Sequence, residues 1–137
     1  MSEPPSAAVA IETVLVIDDE VIARMVISGY LRHCGYRVIE AANSDEALAV
    51  LQHTEISVDV VLCGISQAGT ASGFALAQWV RQRKPETDII LAGSHARAAT
   101  AAGELCESGP NLVKPYEPQV VVDRIKQLLA LRSTSKK

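Results

Sequence analysis

Three consecutive carboxylates follow an apolar segment near the start of the chain. Asp18, Asp19 and Glu20 come directly after residues 13–17, a β-branched run typical of a strand buried on both faces. Adjacent carboxylates are costly to hold together unless a cation shares them, so the triplet indicates a divalent-cation site. The alternative interpretation is that Asp19 or Glu20 simply begins a helix, where negative charge is favoured.

Two further polar positions fall at the ends of predicted strands. Lys114-Pro115 ends the last predicted strand, where the lysine can place its ammonium in the same cleft and the proline can fix a sharp turn. The alternative is that the pair is only the point at which the strand passes into a loop. His95 follows the fourth strand at the rim of that cleft. A metal-binding or phosphohistidine role is conceivable for His95, but the sequence favours a solvent-facing helix start.

The elements that must position these residues alternate along the chain. Patterns of apolar residues predict strands over residues 13–17, 36–41, 58–63, 88–92 and 111–114, and helices over 20–33, 45–53, 73–84, 97–107 and 117–131. Ser44 and Ser72 are the predicted N-caps of the second and third helices, and Phe74 belongs to the predicted buried stripe of the third. Short connections between parallel strands require crossovers, so we predict an α/β fold with a five-stranded, doubly wound parallel sheet. We predict one domain over residues 12–132, with flexible ends at residues 1–11 and 133–137.

Net charge, hydrophobicity and cysteine content indicate which classes of function this chain could have. The 137 residues carry a net charge of −3 and no run of lysine and arginine, which argues against nucleic-acid binding. No apolar run is long enough to cross a bilayer and no signal peptide is recognisable, so we expect a soluble cytoplasmic protein. Cys34, Cys63 and Cys106 are widely spaced, and we expect three buried thiols in a reducing compartment.

The motifs VLVIDDE at residues 14–20, VDVVLCGI at 58–65 and LVKPY at 112–116, in this order, resemble the receiver domains of bacterial two-component response regulators, the CheY-like superfamily. The resemblance covers nearly the whole chain and implies the flavodoxin-like (βα)5 fold. It also implies that Asp19 is a direct Mg²⁺ ligand, that Asp18 acts through water, and that Lys114 bonds a phosphate oxygen. In such receivers an aspartate at the end of the third strand accepts a phosphoryl group, and a Thr or Ser hydroxyl on the fourth strand bonds it.

The sequence departs from that pattern at the residues that carry the chemistry. Gly64 aligns with the phosphate-accepting aspartate and Ala92 with the hydroxyl position, and Gly93 lacks a hydroxyl as well. Glycine offers no nucleophile, so no aspartyl phosphate can form there; we expect neither a catalytic residue nor an enzyme. With one carboxylate fewer, we expect Mg²⁺ to bind in the millimolar range or weaker, and no other cofactor. Lys114 is expected to pair with the remaining carboxylates of the phosphate-pocket remnant.

The predicted last helix carries more apolar residues than one buried stripe requires. We interpret Val120, Val122 and Leu129 as an interaction surface, with a wide core face as the alternative. The function predicted first is an atypical receiver that contacts a histidine kinase, a phosphotransfer protein or a second copy without phosphorylation. The alternative is an ordinary phosphorelay receiver inactivated at residue 64, naturally or by engineering. A third class, small-ligand binding in the strand-end cleft, has few aromatic residues to support it.

Overall fold

The computed structural model describes residues 13–64, 73–108 and 116–135, with the side chains described up to residue 132. The elements in chain order are β1 Thr13–Ile17, α1 Val21–His33, β2 Arg37–Ala41, α2 Ser44–Gln52, β3 Val60–Gly64, α3 Gly73–Arg83, β4 Asp88–Ala92, α4 His95–Glu107 and α5 Pro118–Ser135. Each of the elements predicted within these ranges is present, with ends shifted by a few residues. No described helix is long and apolar enough to span a membrane.

The described strands form one parallel sheet in the order β2-β1-β3-β4. β1 pairs with β3 from Val14 opposite Val60 to Ile17 opposite Cys63, and β3 pairs with β4 up to Gly64 opposite Ala92. The sheet thus has four described strands where five were predicted. The expected fifth strand, residues 111–114, lies outside the described residues.

Helices cover both faces of the sheet, as predicted. Residues of β1 alternate between the faces because successive strand side chains point to opposite sides: Val14 and Val16 pack with α1, α4 and α5, whereas Leu15 and Ile17 pack with α2 and α3. α4 therefore lies on the face opposite α3. The β1 side chains are almost completely buried. This arrangement fixes the carboxyl ends of β1, β3 and β4 at one edge of the sheet.

Three local predictions were wrong. Asn43, not Ser44, is the N-cap of α2: its side-chain oxygen accepts the backbone N–H of Glu46 at 2.9 Å, and Ser44 is the first helical residue. Phe74 is 64% exposed because α3 turns Leu76, Ala77 and Val80 inward instead. α5 continues to Ser135, into the predicted flexible tail over 133–137, because no glycine or proline interrupts that stretch.

The prediction for the cysteines was wrong for two of the three. Cys34, which caps the C-terminus of α1, is joined by a disulfide to Cys106 in the last turn of α4, with the two Cα atoms 5.3 Å apart. Spacing along the chain could not show this pairing, since 72 residues separate the two. Cys63 is the buried free thiol that was expected.

The packing of α4 against α5 depends on a glycine. A Cβ added at Gly103 would lie 2.6 Å from the Cγ of Pro118, the first residue of α5. We expect Gly103→Ala to lower the free energy of unfolding by about 1–2 kcal/mol, because the overlap outweighs the better helix propensity of alanine. Urea denaturation measures the change.

Gly29 in α1 is the matched control, since a Cβ there meets nothing within 4 Å. Gly29→Ala should raise the free energy of unfolding by about 0.5–1 kcal/mol, through helix propensity alone. Equal effects of the two substitutions would contradict the close approach of α4 and α5.

Candidate functional site

The turn after β1 is held by backbone and side-chain contacts. Asp18 is buried, and its Oδ1 accepts the backbone N–H of Glu20 at 2.9 Å. Arg24 in α1 donates to the carbonyl oxygen of Asp18 at 2.8 Å and forms an ion pair with Glu40 at 3.3 Å. The Asp18 carboxyl is thereby fixed at the edge of the sheet, with its second oxygen left to face the cleft.

The third carboxylate of the triplet has a different role. Glu20 is the N-cap of α1, where its Oε2 accepts the backbone N–H of Ile22 at 3.0 Å. Arg132 in α5 bonds both carboxylate oxygens, at 2.8 and 3.0 Å, and these hydrogen bonds lower the pKa of Glu20. The helix-start interpretation is therefore confirmed for Glu20, which also ties α1 to α5.

A cavity of about 330 Å³ opens where β1, β3 and β4 end. Its floor contains small residues: β3 ends at Gly64, which lies opposite Ala92 of β4, and Gly93 follows. The lining combines these small residues with polar groups and with apolar side chains of the core, namely Val16, Ile17, Asp18, Asp19, Ile27, Leu62, Gly64, Ala92, Gly93, Ser94, His95 and Ala98. No carboxylate follows β3 at this edge, since Ile65 comes next in the sequence.

The thiol nearest to that floor is not a substitute nucleophile. Cys63 is buried, and its Sγ donates to the carbonyl oxygen of Gly64 at 3.3 Å. Burial, assisted by the negative charge of Asp18, raises the pKa of Cys63 to about 11. The thiol is therefore protonated near neutral pH, and the protonated form is a poor nucleophile.

His95 lines the cavity at the start of α4, as the sequence predicts, and its side chain is 39% exposed. His95 is the first residue of α4, and its Nε2 lies 3.6 Å from Oδ2 of Asp18. Ser94 before it is the N-cap, accepting the backbone N–H of Arg97 at 3.1 Å. Capping fixes the start of α4 and with it the direction of the imidazole. The partnership of His95 with Asp18 could not be read from local sequence, because 77 residues separate them.

Burial is the main cause of a raised pKa at Asp18, partly offset by the backbone N–H of Glu20 and by His95. The folded state thus binds the Asp18 proton more tightly than the unfolded chain, whose reference pKa is 3.8. The ionised carboxylate therefore costs stability above the folded pKa, and this cost disappears as pH falls below 3.8.

We accordingly expect Asp18→Asn to be more stable than the wild type at pH 7, because the amide removes a buried charge and still accepts the Glu20 hydrogen bond. The difference should shrink as pH falls through the folded pKa of Asp18. Urea denaturation of both proteins between about pH 3 and 7, a range that spans the ordinary carboxyl pKa values, measures this difference in the free energy of unfolding. A wild type more stable than the variant at pH 7 would contradict the assigned burial cost.

Comparison with known proteins agrees with this geometry. The family model described as response regulator receiver domain matches residues 14–126. The chain belongs to the response regulator receiver family. This receiver is 33% identical over 116 residues to the transcriptional regulatory protein ResD of Bacillus subtilis, covering 85% of the chain and 47% of ResD. It thus spans about half the length of ResD.

Solved structures give the same result for the fold. The receiver superimposes on the chemotaxis response regulator CheY4 of Vibrio cholerae with a TM-score of 0.56 and 26% identity, over 86% of this chain and 98% of CheY4. TrrA of Thermotoga maritima, solved in complex with Mg²⁺-BeF, gives a TM-score of 0.56 and 28% identity, over 86% and 99% of the two chains. The receiver is therefore a flavodoxin-like α/β domain of two-component signalling.

Among the described residues, two carboxylates line the cavity, those of Asp18 and Asp19. Within the described ranges 13–64, 73–108 and 116–135, no group of three His, Cys, Asp or Glu side chains could hold one. Asp18 and Asp19 lie at the cavity, while Glu20 is engaged at the helix cap. Lys114 and Pro115, the other predicted pocket residues, fall outside the described residues, so the expected pairing of Lys114 with the carboxylates stays a prediction. Weak binding of Mg²⁺ likewise stays a prediction.

The predicted interaction surface of the receiver needs correction. Val120 is 47% exposed, but Val122 is only 7% exposed and packs in the core, and Leu129 is half-buried against it. The reason is that α5 contacts both α1 and α4 and so buries a wide face, the alternative considered from the sequence. Leu131, which was not singled out, is also a large exposed apolar side chain among the described residues of α5.

Proposed function

We propose that this receiver is an atypical member of its family, which takes part in two-component signalling through protein contacts and without phosphorylation. The observation that carries the proposal is the end of β3, where Gly64 lies opposite Ala92. In the family pattern these two positions hold the phosphate-accepting carboxylate and the phosphate-bonding hydroxyl. Gly64 has no carboxylate and Ala92 has no hydroxyl, so on this alignment the transfer lacks its acceptor atom and the hydroxyl of the fourth strand.

The contacts around the cavity support the same proposal. Asp18 has a cationic partner within the protein when His95 is protonated, with 3.6 Å between the two groups. Arg24 and Arg132 hold the backbone and the third carboxylate on either side. A turn that is ordered by the protein's own side chains does not require phosphate or metal to define its shape. A constant shape is what a phosphorylation-independent binding module needs.

The partner class that fits is a histidine kinase or a phosphotransfer protein. Receivers interact with such proteins, and this chain keeps the fold that they recognise. No nucleic-acid partner is proposed, because the net charge is −3 and the sequence has no run of lysine and arginine. The exposed Val120 of α5 is the proposed contact, at which a second copy of the chain could also bind.

The test is binding of purified phosphotransfer domains from histidine kinases of the source genome, measured by calorimetry. We expect at least one to bind, with the same affinity when acetyl phosphate and Mg²⁺ are added. Val120→Asp should weaken binding about tenfold or more, since it places a charge in an apolar contact. Phe74→Asp on α3 is the matched control and should leave binding unchanged. Binding that requires acetyl phosphate would contradict the proposal.

An ordinary receiver inactivated only at residue 64 is the alternative, and the retained Asp18 and Asp19 favour it. A Gly64→Asp variant treated with acetyl phosphate and Mg²⁺ separates the two. Efficient gain of one phosphoryl group by intact mass would support the alternative, because the rest of the pocket would then be competent. Slow or absent gain would support wider degeneration of the pocket, in agreement with Ala92 at the hydroxyl position.

A further inference from the structure

α4 packs against α1, α5, β3 and β4 along its length, and it has specific ties to the receiver at its two ends. At the N-terminal end, His95 faces Asp18. At the C-terminal end, the Cys34–Cys106 disulfide joins α4 to the C-cap of α1, and the hydroxyl of Tyr36 donates to the carbonyl oxygen of Leu105 beside it. Both cysteines are completely buried. The covalent bond is thus the strongest of these ties.

Between its ends α4 has little apolar surface with which to hold its position. Five of its seven buried residues are alanine or glycine, the positions Ala98, Ala99, Ala101, Ala102 and Gly103. Free energy of burial scales with apolar area, so these small side chains contribute far less than leucines would. The position of α4 consequently depends on the bond at its end more than that of a helix with a leucine-rich face.

The face of the sheet on which each helix lies also bears on the position of α4. α2 and α3 lie on one face of the sheet, as right-handed crossovers in one direction across a sheet require. α4 lies on the other face, with α1, where the disulfide joins the two helices. The bond therefore fixes the helix that the C-terminal end of α4 contacts.

We propose that the Cys34–Cys106 pair is a redox-controlled clamp that sets the mobility of α4. In the oxidised protein the S–S bond fixes α4 against α1 and keeps His95 at Asp18. A dithiol reductant transfers two electrons and two protons: its thiolate attacks one sulfur, the mixed disulfide resolves, the reductant leaves as its own disulfide, and Cys34 and Cys106 become thiols. In the reduced protein α4 is released while the remainder of the sheet keeps its structure.

The clamp goes beyond the proposed function, since it concerns a covalent input that does not use the phosphate pocket. Buried sulfurs react only when the end of α4 opens, so exchange is expected to be slow but complete. Release of α4 would alter the cavity, because His95 and Ser94 are at its first turn.

The test is NMR relaxation of ¹⁵N-labelled protein, oxidised and after treatment with dithiothreitol. We expect order parameters in α4 to fall from about 0.85 to below about 0.6 on reduction, while those of β1 and β3 stay near about 0.85. A Cys34→Ala/Cys106→Ala variant should match the reduced wild type and ignore dithiothreitol. Cys63→Ser, which leaves the pair intact, should behave as the wild type.

Three results would overturn the clamp. For the first, the protein is incubated with glutathione disulfide, unfolded without reductant and treated with an alkylating reagent. Alkylation of all three cysteines would show that Cys34 and Cys106 do not form a disulfide. Another is an α4 with the same order parameters in both redox states. The third is loss of the whole folded spectrum on reduction, which would make the bond a general staple. None of these results bears on binding of a phosphotransfer domain, so the proposed function is tested separately.

Discussion

Reduction of the Cys34–Cys106 disulfide is expected to lower the free energy of unfolding by about 4 kcal/mol. The bond closes a loop with a sequence separation of 72 residues, which contains β2, α2, β3, α3 and β4. A cross-link across so long a loop removes many conformations from the unfolded chain, and the native state gains stability by comparison. Most of the sheet lies inside the loop, so the effect should extend to the global transition.

Urea denaturation with and without dithiothreitol measures the change. The wild type should show a lower midpoint when reduced, and the slope should also change because the reduced unfolded chain exposes more surface. Cys34→Ala/Cys106→Ala removes the bond by mutation and should show no response to dithiothreitol. Identical midpoints of the wild type in both conditions would mean that the bond does not form in solution.

Restoring a carboxylate at the end of β3 is expected to tighten Mg²⁺ binding about tenfold or more. A Gly64→Asp side chain would join Asp18 and Asp19 at the cavity and add a hard oxygen ligand with a full negative charge. Without the ion, the added charge should raise the pKa of Asp18 further, because like charges disfavour ionisation. The variant should therefore be less stable than the wild type in metal-free buffer and recover with Mg²⁺.

Amide shifts of Asp18 and Asp19 during a Mg²⁺ titration report the affinity. Gly64→Asn is the matched control, since it offers an oxygen of the same reach without the charge. We expect Gly64→Asp to bind Mg²⁺ most tightly, Gly64→Asn less tightly, and the wild type most weakly, with a dissociation constant in the millimolar range or weaker. Saturation of the wild type at tens of micromolar would show that the two retained carboxylates suffice.

Much of the fold could be predicted from the sequence because its signals are local. Buried parallel strands read as continuous apolar runs, and β4 was located from Asp88 to Ala92 as observed. Asp18 and Asp19 could be located at the cavity because the carboxyl ends of parallel strands share one edge. These predictions used only the order and spacing of residues along short segments.

The errors concern contacts between distant segments. Cys34 and Cys106 meet because α4 packs on the face of α1, a choice that no local pattern encodes. His95 reaches Asp18 for the same reason. Val122 is buried because α5 packs against both α1 and α4, whereas its pattern alone allowed an exposed face. In each case the sequence offered the residue type, and tertiary packing decided its partner.

We propose that the end of β3 provides no atom to which a phosphoryl group could bond. The most direct measurement is the intact mass of the wild-type protein after incubation with acetyl phosphate and Mg²⁺, and again with an active histidine kinase. We predict an unchanged mass in both incubations, with a phosphorylated ordinary receiver as the positive control. A wild-type chain that carries a covalent phosphoryl group on any residue lining the cavity at Gly64 would contradict the account.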